Sequence, residues 1–143
     1  MVFKLLCATD GSKSAQQAIT FSVNLAKKEN ASLAFLNVNG VSPERASRTH
    51  FWDQEILDAA AIQVHKVLSA AMDSAAKAGL KNVSCVTVSG RNFADAISSY
   101  AKEHGMDQII IGSHGRRGAA AVLLGSVASG VASTAHCPVT IVR

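Results

Sequence analysis

The chain has 143 residues, 48% of them apolar and 17% charged, which is the balance of a folded globular protein and not of a disordered one. At about 150 residues per domain, this length fits a single domain over 1–143 with one buried core. Fourteen Lys and Arg against ten Asp and Glu leave a formal charge of +4, too small an excess to imply a nucleic-acid partner unless it is focused on one face.

Residues 2–8 form an apolar run with Lys4 as its only charge, the pattern of a buried strand. Thr9-Asp10-Gly11-Ser12 punctuates it. A helical pattern follows through Ala15, Ala18, Ile19, Phe21, Leu25 and Ala26. Ser14 with Gln17 fits a capping box, and Ser12 competes as the N-cap. Residues 32–38 are a second apolar run. Residues 39–51, with Gly40, Ser42, Pro43, Arg45 and Arg48, read as a connection. Phe51 and Trp52 read either as an exposed anchor or as the start of the next helix's core face.

The spacing of Ile56, Ala60, Val64, Val67, Leu68, Ala71 and Ala75 predicts a long helix over about 53–77, with Gly79 as its C-cap glycine. Residues 83–88 read as a third strand. Asn92 caps a helix through Ala94, Ile97 and Ala101, and Gly105 stops it. Residues 108–111 read as a fourth strand, residues 126–135 as a helix opened by Gly125-Ser126, and residues 138–142 as a fifth strand with proline at its tolerated first position. Strands and helices alternating in this way, with strands lacking a polar face, imply an α/β fold with a parallel sheet covered on both sides.

The cysteines, Cys7, Cys85 and Cys137, are odd in number and widely spaced, without a C-x-x-C. That pattern argues against a disulfide scaffold or a zinc knuckle and reads as buried, reduced thiols of a cytoplasmic protein. Before Asp10 there is too little apolar sequence for a secretory signal. Residues 118–135 carry no charge, but their glycines, serines and Thr134 make a membrane span improbable.

In a doubly wound sheet, ligands bind where the chain reverses direction, at the carboxyl ends of the two strands flanking the switch. If strands 2 and 3 lie on one side of strand 1 and strands 4 and 5 on the other, that crevice lies between strands 1 and 4. The loops leaving these strands carry Asp10 and the run Gly112-Ser113-His114-Gly115-Arg116-Arg117-Gly118. Glycines let the backbone approach a ligand, and successive N–H groups form an anion-binding concavity. Arg116 and Arg117 add phosphate donors. Gly125-Ser126 opens a helix whose N-terminus favours anions, and Ser126 either bonds a phosphate oxygen or caps its own helix. Asp10 offers an acceptor to an amino group or a ribose hydroxyl. It also suits a merely turn-closing role. The phosphate loop Gly-x-x-x-x-Gly-Lys-[Ser/Thr], the dinucleotide Gly-x-Gly-x-x-Gly after strand 1 and the Gly-x-Ser-x-Gly elbow are all missing.

The spacing Gly112-x2-Gly115-x9-Gly125-Ser126 resembles the signature of the ATP-binding branch of the universal stress proteins. Three more blocks extend the resemblance over the whole chain: Thr9-Asp10-Gly11-Ser12, residues 107–115, and the closing Cys137-Pro138-Val139-Thr140-Ile141-Val142-Arg143. It implies an open five-stranded parallel sheet in the order 3-2-1-4-5 with helices on both faces, a Rossmann-like architecture of the adenine-nucleotide α-hydrolase kind. It implies a homodimer and a bound adenine nucleotide, ATP or else ADP or AMP, with Mg or Mn in some members bridging phosphates. Ala8, Asp10 and the backbone at Val38 would meet the adenosine end. Ile111 and Gly112 would lie along the ribose and phosphates. Ser113, His114, Gly115, Arg116 and Arg117 would wrap the triphosphate, joined by Gly125, Ser126 and Val127. Hydrolysis in such proteins is slow or undetected without a partner, and no poised catalytic base stands out in the sequence.

Two further expectations come from physics. Residues 138–142 would be an open sheet edge, and pairing with the same strand of a second copy would close both edges. A nucleic-acid role lacks interleaved aromatics. The regulatory or sensor reading therefore leads. A slow ATPase or phosphoryl-transfer enzyme and a nucleotide-free interaction protein are the alternatives, and the downstream protein partner is unknown.

Overall fold

The structure is a computed structural model that describes residues 2–39, 51–114 and 124–143, with the backbone alone at 51–61 and 63. Its elements run β1 (Lys4–Ala8), α1 (Lys13–Glu29), β2 (Ser32–Asn39), α2 (Phe51–Lys77), β3 (Val83–Ser89), α3 (Phe93–Glu103), β4 (Gln108–Gly112), α4 (Ser126–Thr134) and β5 (Val139–Val142). The five strands form one parallel sheet in the order β3-β2-β1-β4-β5, as the resemblance implied.

The alternation of side chains along each strand divides the core in two. Leu5, Cys7, Leu33, Phe35 and Ile110 pack with Ala18, Ile19 and Val23 of α1 and with Ala71 and Ala75 of α2. Their neighbours Leu6, Ala8, Ala34, Leu36, Ile109 and Ile111 pack with Ala94, Ile97 and Ala101 of α3 and with Ala128 and Val131 of α4. Right-handed crossovers explain the split. The chain steps outward from β1 to β2 to β3 through α1 and α2. It then crosses back to β4 and on to β5 in the opposite direction, which puts α3 and α4 on the other face.

Local chemistry sets most boundaries. Ser12 is the N-cap of α1, its hydroxyl accepting from the Ala15 amide at 3.1 Å, so the alternative capping box on Ser14 is not the one used. The helix ends at Asn30 in the left-handed region (φ 52°), where the Ala31 amide donates back to the Ala26 carbonyl at 2.9 Å. Asparagine tolerates this conformation better than other non-glycine residues. Asn92 caps α3 by accepting from the Asp95 amide at 3.0 Å. Gly79, at φ 80°, ends α2, with the Leu80 amide donating to the Ala75 carbonyl. The sequence placed the start of α2 two residues late and the start of β5 one residue early. Phe51 and Trp52 are the first residues of α2, and their side chains lie outside the described set. No helix among the described residues is long and apolar enough to cross a membrane.

On the α3–α4 face, Gly130 allows close approach. A Cβ there would sit 2.5 Å from the Ala94 Cβ. Gly130→Ala is therefore expected to lower the melting temperature, by roughly 1–3 kcal/mol of overpacking. Adding Ala94→Gly should return part of the loss, less the roughly 1 kcal/mol that a helical glycine costs. Thermal melts of both single variants and the double variant check this, and a simple sum of the single effects would contradict it.

Candidate functional site

β1 is the switch strand: its partners β2 and β4 send the chain in opposite directions. Their diverging exits leave a cleft at the carboxyl end of the sheet, on the α3–α4 face. Ala8, Leu36, Val38, Ile111, Ile97 and Ala128 give it an apolar lining, and Phe93 and Val127 stand beside it from the first turns of α3 and α4. Asp10, Ser12, Asn37, Thr9 and His114 supply its polar groups. The space between atoms, including the part open to solvent, is about 540 Å3.

Of the residues singled out from sequence, Ala8, Asp10, Val38, Ile111, Gly112, His114 and Val127 line this one cleft. Asp10 is half-buried and closes an Asx turn, with Oδ1 accepting from the Ser12 amide at 2.9 Å. No other hydrogen bond joins its carboxylate to the described residues. Ser113 is buried, and its amide donates to the Val142 carbonyl at 2.8 Å. Gly115, Arg116 and Arg117 lie outside the described residues, as do Arg45 and Arg48.

Gly112 has a different reason for being glycine than the one read from sequence. Its φ is not positive. A Cβ there would lie 2.6 Å from the Ser14 carbonyl carbon and 2.7 Å from the Ser14 oxygen, so the first turn of α1 occupies the space. Ser126 is also placed differently. The N-cap of α4 is Gly125, with no side-chain cap, and Ser126 is exposed in the first helical position. Ser126 lines a neighbouring groove with Arg91, Asn92 and Phe93. The Gly125 amide is already used, donating to the Ser113 carbonyl at 2.6 Å. Among the described residues no side chain caps the amides that follow Gly125.

Several contributors were missed. Asn37 is buried in mid-strand, and its Nδ2 donates to the Thr9 carbonyl at 2.9 Å, pinning the end of β1. Thr9 also donates its amide to the Leu36 carbonyl, while its own hydroxyl is buried without a partner among the described residues. A polar residue inside an apolar strand run was the available signal for Asn37. Phe93, 41% exposed at the cleft, had none beyond following a cap.

The cysteines sort by strand position. Cys7 is fully buried in β1, and the loss of hydration pushes its thiol up to about 12. Cys137 is half-buried against the α3–α4 core, and burial raises it, with the Asp107 charge adding to the effect. Cys85 corrects the expectation of three buried thiols. It is exposed, because β3 is the sheet's outermost strand on that side. Because Cys7 keeps its proton longer when folded than when unfolded, its contribution to stability is intact below about pH 9. That contribution is lost as pH rises from there toward 12. Native alkylation at pH 8 should modify Cys85 and spare Cys7, as peptide mass mapping would show. Labelling of Cys7 without unfolding would contradict the packing. Among the described residues no group of three or more His, Cys, Asp or Glu is placed to hold a metal ion.

A doubly wound parallel sheet with a largely apolar cleft at its switch point defines the Rossmann-like class of α/β folds. Within that class, the universal stress protein family model matches residues 1–143, and the chain belongs to that family. It is 34% identical to universal stress protein YxiE of Bacillus subtilis, with 100% of each chain covered. Among solved structures it superimposes on universal stress protein UspA from Lactobacillus plantarum with a TM-score of 0.83, at 28% identity over 99% of this chain and 97% of the other. A universal stress protein solved in complex with cAMP matches with a TM-score of 0.73, at 26% identity over 99% of this chain and 96% of the other.

Proposed function

We propose that the chain binds an adenine nucleotide, ATP above all, in the β1–β4 cleft and acts as a cytoplasmic, homodimeric regulatory module whose nucleotide state a protein partner reads. The observation that carries the reading is the cleft's composition: an apolar slot for a flat base, flanked by one carboxylate, one imidazole and the uncapped first turn of a helix. Asp10 would accept from the base or ribose, and Val38 and Ile111 would contact the nucleoside. His114 and the amides after Gly125 would meet the phosphates, together with Ser113, Gly115, Arg116, Arg117 and Ser126. The relative solved with cAMP supports an adenine ligand. A divalent ion would be held by phosphate oxygens and water more than by the protein, the usual manner of Mg2+. Asp10 is the single carboxylate lining the cleft among the described residues, which favours binding over phosphoryl transfer, where a positioned base and metal-holding carboxylates are needed.

Purified protein, denatured and examined by mass spectrometry, should release an adenine nucleotide. Nucleotide-free protein given ATP at a hundred times its Kd should gain about 2.7 kcal/mol of stability, a rise in melting temperature of roughly 5–10 °C. No released nucleotide and no shift at millimolar ATP would overturn the reading. For the dimer, β5 is an edge strand whose four residues are all half-buried in the single chain. The Pro138 carbonyl accepts from Ile109 of β4 and the Val142 carbonyl from Ser113 just after it, so the Val139 and Ile141 backbone groups face outward for a second β5. Light scattering should give twice the 14.9 kDa chain mass.

A further inference from the structure

Among the described residues that line the cleft, Phe93 carries the single phenyl ring. Its place follows from how β3 ends. Val88 pairs with Val38, and the Gly90 amide donates to the Asn39 carbonyl at 3.1 Å. Three residues later Phe93 opens α3, whose Ala94 and Ile97 pack in one layer with Ala34 and Leu36 of β2. Phe93 thus stands on the β2 side of the cleft, while Asp10 and His114 come from the exits of β1 and β4.

Neither the core nor the helix accounts for this ring. Ala94 is 8% and Ile97 3% exposed, but Phe93 is 41% exposed. The helix start is secured by Asn92, whose side chain accepts from the Asp95 amide, and phenylalanine has no special preference for a helix. The stacked ring pair among the described residues is Tyr100 with His104. Phe93 and Val127 line both the cleft and the neighbouring groove, so they form the ridge between the two. The other apolar residues of the cleft wall are aliphatic. Aliphatic groups accept any apolar shape, whereas a phenyl ring favours a flat π-system laid against it.

We infer that Phe93 is the base-stacking residue of the cleft, its ring lying against the face of the nucleobase, an inference that rests on the nucleotide reading. The base then occupies the β2 side, and the ribose and phosphates extend toward Asp10 and His114. Stacking holds a base by its face and does not read its edge, so Phe93 supplies affinity and the choice among bases falls to other groups.

The test is calorimetric titration of the full-length chain with ATP in wild type, Phe93→Ala, Phe93→Leu and Phe93→Trp. Phe93→Ala should raise Kd by about five- to a hundredfold. Phe93→Leu, which keeps apolar bulk without a π-face, should fall between the two, and Phe93→Trp should stay near wild type. In Phe93→Trp the emission of the added indole should drop as ATP binds, beyond any change of Trp52 in the wild type. Melting temperatures without nucleotide should stay close to wild type, because the ring is half-exposed; if a truncated variant fails to fold, the indole emission decides. Equal affinity in wild type and Phe93→Ala, Phe93→Leu as tight as wild type, or an added indole that does not respond at saturating ATP would overturn the inference and leave the nucleotide reading standing. A wild type that binds no ATP would overturn both.

Discussion

Gly112→Ala is expected to destabilise the nucleotide-free protein by about 1–3 kcal/mol or more, lowering its melting temperature by roughly 3–10 °C. The added methyl would meet the Ser14 carbonyl carbon at 2.6 Å, the Ser14 oxygen at 2.7 Å and the Ala15 nitrogen at 3.0 Å. All three are backbone atoms in the first turn of α1. No rotamer change relieves the clash, so the helix must shift as a body. Gly130 differs, because the atom it meets is a side-chain Cβ that a second substitution can remove. Shifting α1 would also carry Ser12 and Ser14 away from Asp10 and Ser113. The same variant should therefore bind ATP more weakly, beyond its loss of stability. A melt without nucleotide separates the two effects, and an unchanged melting temperature would mean that α1 does not pack as described.

Asp10→Ala is expected to weaken ATP binding by about ten- to a hundredfold. A hydrogen bond to a charged group contributes about 1.5–3 kcal/mol, and each 1.4 kcal/mol is a factor of ten in Kd. Part of the loss would come from the turn, because Oδ1 accepts from the Ser12 amide at 2.9 Å. Asp10→Asn separates the contributions, since an amide oxygen keeps the turn bond while the negative charge is lost. Its affinity should fall between wild type and Asp10→Ala. Equal affinities for all three proteins would leave Asp10 a turn residue only, the alternative that its sequence position also allowed.

The two core layers were legible because Leu5 to Ala8, Leu33 to Leu36 and Ile109 to Ile111 leave no polar face, which only a doubly covered sheet can bury. The crevice was legible from topology, since strand order places the exits of β1 and β4 together. What the sequence could not show was the purpose of individual residues. Gly112 lines the cleft, but what requires a glycine there is the first turn of α1, a contact between residues about a hundred positions apart. Ser126 read either as a phosphate contact or as the cap of its own helix, and the cap is Gly125. Asn30 carries no apolar periodicity, so the end of α1 was invisible until its left-handed φ was seen. Cys85 read as buried from the number and spacing of the cysteines alone; its exposure follows from β3 lying at the sheet's edge.

The most direct measurement is an amide proton–nitrogen map of the 15N-labelled chain titrated with ATP. The account predicts that the largest shifts fall at Asp10, Ser12, Val38, Gly112, His114 and Val127, at the carboxyl end of the sheet, while Lys4, Ser32 and Asp107 at the opposite end stay still. Saturable shifts centred on that opposite end, or none at millimolar ATP, would contradict it.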